Sequence, residues 1–186
     1  MTKEPLDGDA IFILRKFSTP LECNALIEHS ESHGYEEATI TTAAGAVMNK
    51  GVRNNRRFIE DDPRLATRLW LRAKSLLPER VGQRQAVGFN ERLRYYRYDM
   101  GQQFVRHSDG TFRRPSGDQS QLTFMVYLND DFTGGETVFY TSADTVRFAV
   151  RPQQGAALVF LHEQVHEGAS VVVGRKYVLR TDVMYA

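Results

Sequence analysis

The chain changes its hydrophobic rhythm near its midpoint. In the first half, apolar positions recur at helical spacing. Thr19-Pro20-Leu21-Glu22 combines an N-cap, a proline at the first helical position and a capping-box glutamate. Cys23, Leu26 and Ile27 then form an apolar stripe, and Gly34 supplies a stop. Asp62-Pro63 opens a second helix in the same way. There Leu65, Leu69, Ala73 and Leu76 repeat with Trp70 adjacent, and Pro78 ends the run. Between the helices, Thr41 to Arg57 is poor in large apolar residues. It reads as a mobile loop with Gly45 and Gly51 as flexible points and Lys50, Arg53, Arg56 and Arg57 as charge.

From residue 92 the pattern becomes a series of short β-rich runs. They are Arg92–Tyr98, Gln103–His107, Gln121–Leu128, Thr137–Tyr140, Val146–Val150, Ala156–Leu161, Ser170–Val173 and Tyr177–Tyr185. Asn129-Asp130-Asp131 and Gly134-Gly135 punctuate them as turns. About eight short strands predict a double-sheet jelly roll, mainly β, with the N-terminal helices supporting one sheet. The expected organisation is one domain over 1–186. Residues 1–90 give helical support and a substrate loop, and 91–186 give the jelly-roll core. No repeat or composition break divides the chain.

Composition narrows the classes. With 186 residues, 41% hydrophobic and 25% charged, an ordinary globular core is expected. The formal net charge of +1 argues against a general nucleic-acid or membrane-surface binder, while allowing a local basic patch. Cys23 is the single cysteine, so no intrachain disulfide forms and a reducing compartment is the natural reading. The first residues lack a signal-peptide apolar core. Ala10-Ile11-Phe12-Ile13-Leu14 is far too short to span a bilayer. The expectation is a cytoplasmic protein.

Chemistry enters with His107-Ser108-Asp109. On a strand, residues i and i+2 share a face, so His107 and Asp109 can grip one ion while Ser108 turns away. A third ligand must come from another strand, and His162 and His166 both offer one. A face of two histidines and one carboxylate with open positions is typical of non-haem Fe(II) oxygenases. A lone strand histidine is more often structural. His29 and His33, beside Glu28 and Glu31, read as solvated residues near a helix C-terminus.

The stretch Tyr98-Asp99-Met100-Gly101-Gln102-Gln103-Phe104-Val105-Arg106-His107-Ser108-Asp109 resembles the Tyr-x-x-Gly-x-x-aromatic-x-x-His-x-Asp segment of the prolyl 4-hydroxylase family of 2-oxoglutarate/Fe(II)-dependent dioxygenases. Leu122 to Asp130 and Gly134-Gly135-Glu136-Thr137-Val138-Phe139 look like the family's next two strands and their turn. His166-Glu167-Gly168, Gly174-Arg175-Lys176-Tyr177 and Arg180 to Tyr185 are similar to its last segment. The four motifs occur in order between residues 92 and 185. The resemblance implies a double-stranded β-helix, a cupin-like jelly roll with the metal at its mouth. It makes His107, Asp109 and His166 the iron ligands and selects His166 over His162. It also implies Fe(II) with 2-oxoglutarate and O2 as cosubstrates, and it allows ascorbate.

By the same resemblance Lys176 would anchor the distal carboxylate of 2-oxoglutarate, through a charge-assisted hydrogen bond. Arg175 and Arg180 are the alternatives. Strand alternation sends Lys176 and Arg175 to opposite faces, so only one of that pair points inward. Tyr98 matches a hydrogen-bond donor to 2-oxoglutarate, against a reading as a core aromatic beside Tyr95 and Tyr96. Thr123 matches a strand threonine near the same carboxylate, against ordinary β-propensity. Gly134-Gly135 reads as a turn rather than a binding element.

The implied reaction is hydroxylation of an unactivated C–H bond with release of succinate and CO2, favouring a prolyl residue of a peptide or protein. A free amino acid or small metabolite would use the same site. Residues 41–57 and Gly110–Ser120, with Arg113, Arg114 and Pro115, are the candidate recognition loops. A zinc hydrolase could use the same three ligands, but it needs no 2-oxoglutarate pocket. A jelly-roll binding module without metal would not keep all three. Oligomeric state is not legible.

Overall fold

In the computed structural model, the chain folds into two antiparallel sheets laid face to face, with two helices on the outside. The structure describes residues 1–42, 45–47, 49–141, 143 and 145–186. The major sheet runs in the order Thr2–Asp7, Ile11–Arg15, Ala157–Leu161, Gln119–Tyr127, Lys176–Tyr185, Arg92–Tyr98, Arg56–Asp61 and Glu36–Glu37. Arg84–Phe89 pairs with the far end of Lys176–Tyr185. The minor sheet runs Phe104–His107, His166–Gly168, Thr137–Tyr140 and Val146–Val150.

Strand periodicity sorts the core into two layers. Along Lys176–Tyr185, the residues Tyr177, Leu179, Val183 and Tyr185 join the layer under the helices, with Leu65, Leu69 and Phe124. Alternation turns Lys176, Val178, Arg180 and Asp182 to the other face, between the sheets. That inner layer is built from Ile11, Ile13, Leu158 and Phe160 of the major sheet and Phe139 and Val150 of the minor one.

Both predicted helices form. The first, α1, spans Pro20–His33, with the Thr19/Glu22 capping box in place and Gly34 at its end. The second, α2, spans Pro63–Ala73, and Asp62 accepts the Leu65 amide at 2.9 Å. It stops before Pro78, because the Leu76 amide turns back onto the Ala73 carbonyl.

The N-terminal half is more than helical support, and here the sequence expectation needs correction. It supplies strands to the major sheet, among them Ile11–Arg15, Arg56–Asp61 and Arg84–Phe89. Ile11 to Leu14 is wholly apolar because its strand is paired on both edges and covered on both faces, as buried strands require. The span expected to be a mobile loop contains a hairpin, Ile40–Thr42 with Gly45–Val47, and the start of Arg56–Asp61. Residues 43, 44 and 48 of that span lie outside the described residues. Among the described residues, no helix is long and apolar enough to cross a membrane.

Candidate active site

Strand pairing brings the two halves of the site together. His107, at the end of Phe104–His107, stands directly opposite His166 in the antiparallel register, and Phe139 flanks His166 on its other side. Asp109 lies just past the strand, where its amide donates to the His162 carbonyl at 2.9 Å. One ligand atom from each of His107, Asp109 and His166 falls within a common span of 4.8 Å. The Nε2 atoms of His107 and His166 lie 3.7 and 3.8 Å from the two oxygens of Asp109.

The tautomers are set by backbone carbonyls. His107 Nδ1 lies 2.8 Å from the Val105 carbonyl, and His166 Nδ1 lies 2.9 Å from that of Gln164. A carbonyl only accepts, so each Nδ1 carries the proton and each Nε2 presents a lone pair to the centre. Phe104 stacks on His107 at 3.6 Å between centroids, and Phe160 meets His166 edge-on at 4.5 Å.

Burial and charge keep all three groups in their metal-binding forms. Burial, with repulsion from His166, pushes His107 down to about 3. Burial also lowers His166. Burial works against ionising Asp109, yet Arg180 and the two histidines hold its carboxyl well below the usual carboxylate range. Two neutral imidazoles and a carboxylate whose donor atoms converge are the donor set of an Fe(II) site. The residues present therefore fit iron.

Below this cluster runs a pocket lined by Tyr98, Thr137, Lys176, Val178 and Arg180, among others. Lys176 is 3% exposed and pairs in register with Tyr98. Its ammonium donates to the Gly135 carbonyl at 2.6 Å and sits 5.2 Å from the centre of the Tyr98 ring. No carboxylate of the described residues lies within ion-pair distance of it, and burial pulls it down to about 8. A buried cation with no counter-ion is costly, and an acid-bearing cosubstrate would supply the missing partner. Burial pushes the Tyr98 phenol up to about 12, which keeps its hydroxyl proton available to donate.

The three cation candidates separate cleanly. Arg175 points outward and pairs with Asp99 at 2.5 Å. Lys176 points into the pocket. Arg180 is also inside, but its guanidinium lies 2.9 Å from Asp109 and 3.3 Å from Asp182. Thr123 lines the same pocket as Lys176. Its hydroxyl donates to Asp109 and accepts from Arg180. His162 is buried behind the site, 3.7 Å from Asp182, and joins no metal cluster among the described residues.

Sequence reasoning missed Arg94, Tyr96 and Asp182, which line the cleft beside the cluster. The signal was strand parity. Asp182 shares a face with Lys176 and Arg180, and Arg94 and Tyr96 share one with Tyr98.

The fold and the site define a class, and known proteins agree. A sequence-family model, the 2OG-Fe(II) oxygenase superfamily, matches residues 93–181. The match covers a little under half of the chain and makes it similar to that superfamily. Prolyl 4-hydroxylase 2 of Arabidopsis thaliana is 26% identical over 207 residues, covering 89% of this chain and 64% of the relative. The chain thus spans a little under two-thirds of the length of the curated relatives it matches. A Pseudomonas putida prolyl-4-hydroxylase shares the fold with a TM-score of 0.69 at 17% identity, over 96% of this chain and 94% of the other. So does a prolyl hydroxylase in complex with a hypoxia inducible factor oxygen degradation domain peptide fragment from Trichoplax adhaerens. Its TM-score is 0.68 at 17% identity, over 96% and 84% of the two chains.

Proposed function

We propose that this protein is an Fe(II)- and 2-oxoglutarate-dependent dioxygenase that hydroxylates a prolyl residue of a peptide. The observation that carries the reading is the joint arrangement of His107, Asp109 and His166 above a buried Lys176 that has no carboxylate partner among the described residues. Bound together, iron and 2-oxoglutarate supply the chemistry, in which 2-oxoglutarate, O2 and a C–H bond become succinate, CO2 and an alcohol.

The chain's own residues bind, orient and protect. His107, Asp109 and His166 would hold the metal. Lys176 would hold the distal carboxylate of 2-oxoglutarate, with the Tyr98 hydroxyl as a further donor. Thr123 and Arg180 fix the carboxylate of Asp109 through its two oxygens. Phe104, Phe139 and Phe160 wall the histidines and exclude water from them. The likeness to prolyl 4-hydroxylases and to a peptide-bound prolyl hydroxylase supports a prolyl peptide as substrate.

The test is anaerobic addition of Fe(II) and 2-oxoglutarate to the folded protein. It should produce the weak visible charge-transfer band of a chelated 2-oxo acid, and His107→Ala should remove it. Peptide pools should then gain one oxygen in step with succinate formation. Absence of the band in iron-loaded protein would overturn the proposal.

A further inference from the structure

The sequence is nearly neutral overall, yet four of its arginines line one cleft. A cleft of about 620 Å³ opens onto His107 and Asp109, and Lys176 does not line it. Four guanidinium groups line it, from Arg53, Arg57, Arg94 and Arg180, against two carboxylates, Asp109 and Asp182. Strand geometry puts them there. Arg57 stands opposite Tyr96 in the register, and Arg94 opposite Arg180. The segment before Arg57 is stitched to the site strand, since the Val105 amide donates to the Val52 carbonyl and Arg53 bridges to Phe104.

The four arginines are not equally occupied. Arg94 lies 3.0 Å from Asp182, and Arg180 is shared between Asp182 and Asp109. Arg53 and Arg57 have no carboxylate partner among the described residues. Arg53 is only 5% exposed, its guanidinium lies 4.5 Å from the centres of both the Tyr96 and Phe104 rings, and its Nε donates to Asn55. Its Nη2 is buried with no hydrogen-bond partner among the described residues. Among the described residues Arg57 donates only to Thr39, at 2.6 Å from Nη2 to the hydroxyl. The field is felt nearby. Burial would raise the Tyr96 phenol, but Arg180, Arg53 and Arg94 together hold it below its ordinary value.

A bound divalent cation and the dianionic cosubstrate would cancel each other's charge, so the excess positive charge in the cleft would remain. An orphaned, buried guanidinium donor is expensive unless an anion completes it. Carboxylates match the fork of a guanidinium bidentately. Resting on the dioxygenase reading above, we infer that the substrate of this site carries a carboxylate, which Arg53 and Arg57 bind beside the C–H bond to be oxidised. That carboxylate belongs either to an acidic residue flanking the target in a peptide or to a free amino-acid-like molecule.

The test is binding to full-length protein loaded with Co(II), an inert substitute for iron, and 2-oxoglutarate. Loading itself is checked first by the thermal shift from 2-oxoglutarate. Failure there sinks the dioxygenase reading, separately from the present inference. The probes are prolyl peptides flanked by Asp or Glu, by Asn or Gln, or by Lys, with proline and prolinamide as a small-molecule arm. The acidic peptides or proline should bind at least about tenfold more tightly than their neutral counterparts, a difference typical of one charge-assisted contact. Which arm shows the preference identifies the source of the carboxylate. Arg57→Gln and Arg53→Gln should erase it, Arg57→Lys should retain part of it, and 2-oxoglutarate binding should stay unchanged. Equal binding of acidic and neutral probes, no binding of any acidic probe, or a preference surviving both Gln variants would overturn the inference. Arg57 is only partly buried, so its variant folds even if that of the enclosed Arg53 does not.

Discussion

Arg180 lies 2.9 Å from the carboxylate of Asp109, on the oxygen facing His107, while Thr123 donates to the other oxygen. The carboxylate expected to bind iron is thus held at both atoms by groups that do not ligate. One residue further out, Asp182 ties Arg180 to Arg94 and faces His162 at 3.7 Å.

This arrangement makes Arg180 a positioning residue for the metal. Arg180→Ala frees Asp109 to rotate, and losses of partners behind a ligand commonly weaken metal binding by about 10–100-fold. A Co(II) or Mn(II) titration of the variant should show a loss of that order with the ligand set intact. Unchanged or tighter binding would show that the guanidinium does nothing but repel the cation.

Lys176 should trade stability for function. Its buried ammonium is pulled from 10.5 to about 8, which corresponds to roughly 3 kcal/mol against the fold below pH 8. Lys176→Met removes that penalty and loses one hydrogen bond to Gly135, for a net gain of about 1–3 kcal/mol at neutral pH. Urea unfolding of the metal-free protein should show the gain, and the thermal shift caused by 2-oxoglutarate should vanish. A destabilised variant would mean that the ammonium already has a partner.

The same group sets a pH dependence. A folded value near 8 against 10.5 means that unfolded chains hold the proton more tightly, so apo stability rises as pH climbs from about 8 to 10.5. Binding of 2-oxoglutarate runs the opposite way, because it needs the charged form. Its Kd should be flat below pH 8 and rise about tenfold per pH unit above it. Calorimetric titrations across this range should show the slope in the native protein and not in Lys176→Met.

Much of the core was legible because its strands obey one rule. Alternation delimits Arg92–Tyr98, Thr137–Tyr140 and Val146–Val150 to the residue, and the same parity puts Lys176 and Arg175 on opposite faces, with the resemblance choosing Lys176 as the inward one. Of the N-terminal strands, Ile11–Arg15 carries no alternation because it is buried on both faces. The sequence marks Arg57 only as charge in a candidate recognition loop and does not single out Arg94, since their place in the cleft depends on register with a distant strand. Thr123 lines the pocket with Lys176, as the sequence suggests, and its hydroxyl also donates to Asp109, a contact that depends on another part of the chain.

The two rival histidines give a sharp comparison. His166 and His162 are equally buried, each 6% exposed. Only His166 has its Nδ1 held by a carbonyl and its Nε2 turned to Asp109. His166→Ala should abolish stoichiometric Co(II) binding. His162→Gln keeps all three ligands and should retain one metal per chain, with at most the modest weakening expected from a change behind Asp182. Loss of the metal in His162→Gln alone would exchange the assignments.

Gly135, expected to be a turn residue, also holds the cosubstrate anchor. Its φ of +69° suits glycine, and its carbonyl accepts the Lys176 ammonium at 2.6 Å. A Cβ there would lie 3.0 Å from the Phe132 ring and 3.2 Å from Lys176 Cδ. Gly135→Ala therefore disturbs both the turn and the lysine stem. It should weaken 2-oxoglutarate by roughly tenfold, about 1.4 kcal/mol. Gly82→Ala provides the control, because it has φ +60° but no atom within 4 Å of the added methyl. It should carry only the backbone penalty of about 1 kcal/mol in urea unfolding and leave 2-oxoglutarate affinity as it was. If both variants lose affinity equally, general loosening of the fold and not the contact with Lys176 is responsible.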